Sequence, residues 1–170
     1  FSPQRLGQMG GQIRTWCEEI LDGLPVGEAF DWVDRVSIEL TARTLASLLG
    51  YPLDRSRDLI RWSEAMVALP GTPACPTLED KLRVMNDCFA TFEAIWRERL
   101  AAPAGDDLIS MLAGRPETRD MARDEFYGNV MLLIVGGNDT TRSSISGSIV
   151  AFDRFPAELE KLRAEPGLIA

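Results

Sequence analysis

Apolar side chains recur every three or four residues along most of this sequence, which is the spacing of one face of an α-helix. The first such stretch starts with Ser2 as a cap and Pro3 as the first helical residue, and it is expected to end near Leu24 and Pro25. Its apolar stripe consists of Leu6, Met9, Ile13, Trp16 and Ile20. The pattern predicts an amphipathic first helix.

Two more helices are predicted in the next third of the chain. Asp31 is placed to cap the second helix, and Gly50, with Pro52 just beyond it, ends the pattern. The apolar stripe of the second helix is Val33, Val36, Leu40, Thr44 and Leu48. The third helix is expected to run from Asp54 through Leu59, Trp62, Met66 and Leu69.

Residues 70–76 are predicted to form a loop, because three prolines within this stretch remove backbone donors and restrict their neighbours. After it, Thr77 and Asp80 resemble a capping box, which marks the start of a helix of about five turns. The expected stripe of that helix is Leu78, Leu82, Met85, Phe89, Phe92 and Trp96. A short helix over 106–113 and a polar turn at 115–119 follow.

The segment that begins near Asp120 contains the apolar run 130–135 and then the sequence Gly136-Gly137-Asn138-Asp139-Thr140-Thr141. Two glycines cost a helix about 1 kcal/mol each, and Asn and Asp favour caps over helix interiors. The local spacing therefore favours two helices joined by a turn, with Asp139 as the second N-cap. The alternative is one long helix over about 120–153 that bends or loosens at the glycines and opens a groove beside a ligand.

Composition and charge narrow the functional classes. The 170 residues, 45% of them hydrophobic, suffice for one domain or a piece of one, and without a convincing strand the predicted fold class is all-α. The net charge of -8 leaves no basic surplus to neutralise phosphates, so we expect no nucleic-acid partner. No apolar run approaches the ~18 residues of a membrane span. The start at Phe1, without an initiator Met or a signal peptide, favours a truncated chain.

The cysteines and the lack of histidine limit the available chemistry. Cys17, Cys75 and Cys88 lie too far apart for a zinc knuckle or a redox pair, and their odd number argues against a closed disulfide framework. A reducing cytoplasm fits this composition best. The chain contains no His, which removes the commonest general base and metal ligand. Its chemistry must therefore use other side chains or a cofactor.

The run from Leu132 to Arg142 resembles the central helix of cytochromes P-450, whose pattern is Ala or Gly, Gly, any residue, Asp or Glu, Thr, and Thr or Ser. Residues 136–141 meet every position of that pattern. Segments at 1–3, 48–52 and 106–112 also look like landmarks of this family. The resemblance implies the helical portion of the cytochrome P-450 fold, helices D to J in a single partial domain over 1–170, with one long central helix carrying the oxygen-activation motif.

One branch of that family fits best. Residues 31–40, 133–142 and 145–147 look like the bacterial alkane terminal hydroxylases. The resemblance implies a soluble bacterial monooxygenase of the cytoplasm with heme b as cofactor, inserting one atom of O2 into a C–H bond of an apolar substrate. Medium-chain alkanes or fatty acids would be hydroxylated at the terminal carbon, with electrons from NAD(P)H through a ferredoxin reductase and a ferredoxin.

Carried over by position, the resemblance assigns roles to the central motif. Thr140 would hydrogen-bond the oxygen that is being activated, and Asp139 would relay protons through water, because a hydroxyl donates and accepts while a carboxylate passes a proton on. Gly136 and Gly137 would form the groove in which oxygen fits. The residues expected to face the substrate, with the proline loop as a roof, are Leu132, Val135, Met66 and Leu69.

Structural alternatives accompany these roles. The Thr140 hydroxyl can simply bond back to a helix carbonyl, and Leu132 can be an ordinary core residue. Arg142 can pair with Asp139 on the helix surface, three residues away, and is assigned no catalytic role.

The heme ligand of the family is not recognisable in this sequence. No cysteine stands in the ligand loop pattern Phe-x-x-Gly-x-x-x-Cys-x-Gly, and no Glu-x-x-Arg follows the last helix. The isolated chain is therefore not expected to bind heme natively or to turn over. The second functional hypothesis is a non-catalytic helical ligand-binding or interaction domain. A hairpin at Gly136 would favour that domain, and one continuous helix would favour the monooxygenase.

Overall fold

The computed structural model describes residues 3–101 and 105–169, with side chains from residue 7 onward. Its helices are α1 Pro3–Asp22, α2 Glu39–Leu49, α3 Arg57–Val67, α4 Leu78–Ala101, α5 Leu108–Gly114, α6 Arg123–Arg154 and α7 Pro156–Ala164. These two ranges contain no β-strand, which confirms the predicted all-α class. They also contain no helix long and apolar enough to cross a membrane. The predicted cap Ser2 and the Leu6 side chain lie outside the described residues.

Three predicted helix boundaries are formed by local contacts. Asp31 accepts a hydrogen bond through Oδ1 from the backbone amide of Asp34 at 3.1 Å. The hydroxyl of Thr77 accepts one from the amide of Asp80 at 3.0 Å, as a capping residue should. Gly50 ends α2 with φ 65°, a left-handed conformation that glycine adopts without strain. These three boundaries are confirmed.

A π-helical segment, Val33–Ile38, leads directly into α2. Its backbone hydrogen bonds skip one residue more than those of an α-helix, so the side chains that follow are rotated from the spacing assumed in the sequence. The predicted stripe is wrong in part, because Val33 is exposed and Leu40, Thr44 and Leu48 are only half-buried. The buried residues of α2 are Thr41, Ala42, Leu45, Ala46 and Leu49.

The third and fourth predicted stripes each extend too far. Helix α3 ends at Val67, and Leu69 lies beyond it with 73% of its surface exposed, because the following proline disfavours helical backbone at residue 69. Leu78 and Leu82 at the start of α4 are more than half exposed. At 24 residues against 11, α4 is too long for α3 to cover it along its whole length.

An aromatic cluster joins α3 and α4 at the centre of the core. The rings of Tyr51, Trp62 and Phe92 contact one another, with centroids between 5.5 and 5.9 Å apart. Trp62 is fully buried, and its indole N–H donates to Asp87 Oδ2 at 3.0 Å. The same oxygen accepts from the Arg61 guanidinium at 2.7 Å. The buried indole therefore has a polar partner on the neighbouring helix.

Helix α6 runs for 32 residues without interruption through Gly136 and Gly137. The two-helix interpretation of this segment is therefore wrong. Val130 and Ile134 are fully buried before the glycines and Asn138 is fully buried after them, so one face packs against the core on both sides. Tertiary packing of this kind outweighs a propensity cost of about 1 kcal/mol per glycine.

Candidate functional site

Helix α6 presents an open face opposite its buried one. Leu132, Gly136 and Thr140 follow one another at intervals of four residues, so they form a single stripe on the helix surface. Leu132 is 72% exposed, which rules out core packing for this side chain within the described structure. The stripe combines an apolar side chain, a bare backbone position and a hydroxyl.

The two glycines of α6 serve different purposes. A Cβ atom built on Gly136 would meet nothing within 4 Å, so this position leaves an open depression in the helix surface. A Cβ atom on Gly137 would lie 3.0 Å from Leu45 Cδ1 of α2. Gly137 therefore allows close packing of α2 against α6. The family resemblance implied that both glycines form the oxygen groove. The structure brings only Gly136 to the open face.

The hydroxyl of Thr140 donates a 2.9 Å hydrogen bond to the carbonyl oxygen of Gly136. Ser144 and Ser148 make equivalent bonds one and two turns later, each at 2.8 Å. The contact itself is thus the back-bond that a hydroxyl in a helix ordinarily forms. Thr140 differs in that its acceptor belongs to the bare residue of the open face, and its oxygen keeps lone pairs for another donor.

Asp139 is held from two sides through one carboxylate oxygen. Oδ1 lies 3.1 Å from Nη2 of Arg142, the pair expected from their spacing. It also accepts from the amide nitrogen of the fully buried Asn138 at 3.4 Å. Arg142 extends the contact by placing Nη1 3.1 Å from Oε1 of Glu64 on α3. The carboxylate next to Thr140 is therefore linked to a second helix.

The predicted substrate-facing residues separate into two groups. Leu132 and Leu69 are largely exposed. Val135 is half-buried against the core cluster, and Met66, 9% exposed, is part of that cluster. Sequence reasoning missed Asn138 and Glu64. Asn138 occupies the unrestricted position of the motif, and no local spacing could indicate Glu64, which is 78 residues away from Arg142.

Comparison with known proteins identifies the family, although no protein-family model matches the sequence. Linalool 8-monooxygenase of Pseudomonas putida is 34% identical over 170 residues, which cover 99% of this chain and 42% of that protein. Steroid C26-monooxygenase of Mycolicibacterium smegmatis is 30% identical over 97% of this chain and 38% of that protein. The solved structure of cytochrome P450-153 from Novosphingobium aromaticivorans has a TM-score of 0.81 at 38% identity, over 99% of this chain and 40% of that one.

The chain belongs to the cytochrome P450 family. It spans about two fifths of the length of the P450 relatives it matches, and the match covers nearly all of its own length. The resemblance inferred from the motif at 136–141 is therefore confirmed over the whole chain.

The cysteines of this P450 segment do not suit the heme iron. Cys88 is fully buried, and burial raises the pKa of its thiol to about 12. Cys75 is buried and donates through Sγ to the carbonyl oxygen of Thr77 at 3.3 Å. Burial also raises the pKa of Cys17. The raised pKa values make Cys17 and Cys88 poor thiolates, and the Sγ of Cys75 is engaged as a donor. The described residues contain no cluster of metal-ligating side chains.

The open face of α6 does suit a flat, largely apolar cofactor. Gly136 projects no side chain, so a ring system can approach the helix backbone there. Leu132 offers apolar surface before it and Thr140 a hydroxyl after it. The residues present thus fit one side of a heme.

Proposed function

We propose that the intact protein is a heme-dependent monooxygenase that inserts one atom of O2 into a C–H bond of an apolar substrate. The overall reaction consumes the substrate, O2, one NAD(P)H and one proton, and yields the alcohol, water and NAD(P)+. The observation that carries the proposal is the pairing of bare Gly136 with the Thr140 hydroxyl on one uninterrupted helix. When bound, heme supplies the activation of O2 and the attack on the C–H bond.

The protein's part in this reaction is to give oxygen a place and to deliver protons to it. Gly136 leaves room for a diatomic molecule against the helix. Because the Thr140 proton is engaged by the Gly136 carbonyl, the Thr140 oxygen is oriented to accept a hydrogen bond from a water or another hydroxyl in the groove. Thr140 would therefore order a proton donor beside the oxygen molecule in the groove.

Asp139 supplies those protons from the adjacent position. Its Oδ1 is engaged by Arg142 and Asn138, so Oδ2 is the atom that can bind water and exchange a proton with it. A carboxylate with one restrained and one accessible oxygen suits a relay, because the proton path always begins at the same atom. Asp139 and Thr140 are the proposed catalytic residues, with Gly136 beside the cofactor and Gly137 behind it, against α2.

The proposed substrates are medium-chain alkanes or fatty acids, hydroxylated at the terminal carbon. Similarity to the alkane terminal hydroxylases over residues 31–40 and 133–142 supports this assignment, as does the exposed apolar surface at Leu132 and Leu69. Met66 belongs to the buried core cluster and Val135 packs against it, so these two are proposed to contribute to the pocket from its inner side. An apolar pocket binds by buried area, at about 25 cal/mol per Å², so residue type alone does not fix chain length.

Electrons are proposed to come from NAD(P)H through a ferredoxin reductase and a ferredoxin, in the bacterial cytoplasm. We propose that residues 1–170 are one partial domain, helices D to J, of the intact enzyme. Because none of its cysteines is a suitable thiolate, this segment alone is not expected to turn over.

Spectroscopy of the intact protein tests the proposal. The reduced protein should give a carbon monoxide complex with the absorption of a thiolate-ligated heme, and medium-chain alkanes should shift the heme spin state. A carbon monoxide complex without thiolate character would refute the monooxygenase assignment. A spin state that responds to steroids and not to alkanes would refute the substrate assignment and leave the reaction class standing.

A further inference from the structure

We propose that Glu64 on α3 is a positioning residue, which acts through Arg142 to fix the orientation of the Asp139 carboxylate. The inference rests on the relay role of Asp139 proposed above. Through this contact, the orientation of the Asp139 carboxylate depends on the position of α3.

The guanidinium of Arg142 bridges two carboxylates with separate nitrogens. Nη1 contacts Glu64 Oε1 and Nη2 contacts Asp139 Oδ1, both at 3.1 Å. A guanidinium is planar, so engaging two of its nitrogens fixes its plane and the direction of the remaining donors. The Arg142 side chain is 22% exposed, less than either carboxylate, which confines it between the two helices. Moving Glu64 therefore moves the donor that faces Asp139.

Glu64, Arg142 and Asp139 together carry two negative charges and one positive charge. This excess of negative charge determines the effect of removing the Glu64 charge. In the intact set, one cation is shared between two anions. Without the Glu64 charge, Arg142 has Asp139 as its remaining partner among these three residues and holds the Asp139 carboxylate more tightly. A carboxylate held more tightly by a cation reorients less readily. The expected consequence is slower proton delivery, with the helix itself unchanged.

Glu64 is well placed to report the position of α3. It lies three residues before Val67, where α3 ends, and the proline loop 70–76 begins shortly afterwards. Lys81 of α4 ties down the same end, since its ammonium donates to the carbonyl oxygens of Met66 and Ala68, both at 2.9 Å. A substrate that displaces this end of α3 would therefore change the Glu64 contact to Arg142.

The test uses the intact, heme-loaded protein and the variant Glu64→Gln, which keeps the side-chain shape and removes the charge. Turnover should fall roughly twofold to fivefold, the range that a partly exposed ion pair allows, and the solvent deuterium isotope effect on turnover should rise. The control is Glu160→Gln, which removes an exposed contact to Arg163 within α7, far from the proposed relay in sequence. It should leave both values as they are in the parent protein.

A charge swap separates positioning from simple helix attachment. Glu64→Arg combined with Arg142→Glu restores an ion pair between α3 and α6 but places a carboxylate beside Asp139. In this double variant, hydrogen exchange of the α3 amides, a readout independent of turnover, should match the parent rate. The solvent isotope effect on turnover should stay high. If the swap restores both, the pair is only structural and the inference is wrong. If exchange in the double variant differs from the parent rate, turnover and the isotope effect of Glu64→Gln decide between a positioning role and no role for Glu64.

The variant Asp139→Asn distinguishes the two levels of the proposal. If it slows turnover while Glu64→Gln leaves turnover and the isotope effect unchanged, Asp139 acts without Glu64 and only the present inference fails. If Asp139→Asn itself has no effect, the relay role of Asp139 fails and takes the inference with it. A raised isotope effect in both variants supports both.

Discussion

The hydroxyl of Thr140 donates to the carbonyl oxygen of Gly136 at 2.9 Å, at a position of α6 where a Cβ atom would meet open space. A back-bond of this kind does not by itself strengthen a helix, so its importance here lies in the oxygen atom that it orients. The Thr140 oxygen keeps its lone pairs for a donor in the groove. The hydrogen bond therefore bears on the proposed chemistry, whereas helix continuity rests on the packing of Val130, Ile134 and Asn138.

Replacing Thr140 with Ala in the intact enzyme should uncouple oxygen consumption from product formation. The variant loses the acceptor that orders the proton donor, so electrons should escape as hydrogen peroxide and product per NAD(P)H should fall to about a tenth or less. Product, peroxide and NAD(P)H consumption are measured together. Ser144→Ala removes the same kind of back-bond one turn later and should leave the ratio unchanged. An unchanged ratio in Thr140→Ala would contradict the role of this hydroxyl.

Substitutions at the two glycines should have opposite effects. In the intact protein, Gly136→Ala should not lower the free energy of unfolding and can raise it by up to about 1 kcal/mol, because Ala favours the helix and meets no neighbour. It should nevertheless reduce turnover roughly tenfold or more, since the methyl group occupies the groove. Urea unfolding and turnover, measured on the same sample, separate the two effects.

Gly137→Ala should instead destabilise the protein relative to Gly136→Ala by about 1 kcal/mol or more, because its Cβ atom would press on Leu45. Leu45→Ala supplies the control, since it removes the contacting atom. In that background Gly137→Ala should cost less than in the parent protein. An equal cost in both backgrounds would show that Leu45 is not the obstacle.

The sequence predicts the parts of this fold that depend on local chemistry. The boundaries at Asp31, Gly50 and Thr77 follow from side chains and backbone conformations within a few residues, and the structure has them as expected. At 136–141 local propensity favoured a turn, and the family resemblance correctly favoured a continuous helix. There the deciding contacts lie on other helices, beyond the reach of any local rule.

The features that the sequence could not predict are changes of register and long-range contacts. The π-helical segment at Val33–Ile38 rotates the side chains after it, so a regular stripe misassigned Leu40 and Leu48. The bridge from Glu64 to Arg142 joins residues 78 positions apart. The separate roles of Gly136 and Gly137 likewise depend on a long-range contact, the packing of α2 against α6 at Gly137.

Lys81→Met should loosen the end of α3 and the proline loop. The ammonium of Lys81 satisfies two carbonyl oxygens that the helix leaves without partners, and losing it should lower stability by about 1 kcal/mol. Hydrogen exchange of the amides at 66–76 should accelerate in the intact protein. Lys161→Met, which removes an exposed pair with Glu158 on α7, is the control and should leave that segment unchanged. Equal exchange in both variants would rule out a capping role for Lys81.

Asp87 should make part of the stability depend on acid pH. Hydrogen bonds from Arg61 and then Trp62 hold the pKa of Asp87 below its ordinary value, so its contribution is present above the unfolded pKa of about 3.9 and is lost as pH falls through the folded pKa. The side chain is 48% exposed, which keeps the effect modest. Asp87→Asn should cost about 1 kcal/mol at neutral pH, because the Arg61 ion pair is lost.

The difference between the parent protein and Asp87→Asn should shrink as the pH falls from about 5 towards the depressed pKa of Asp87, since protonation removes the same charge from the parent. Thermal unfolding over that range measures it. The control is Asp120→Asn, which changes a side chain that is 89% exposed and whose contact with Arg119 is as long as 3.9 Å. The unfolding curve of this variant should follow that of the parent protein over the same pH range. If the stability difference between the parent and Asp87→Asn were constant over this pH range, the charge of Asp87 would not be what stabilises the protein.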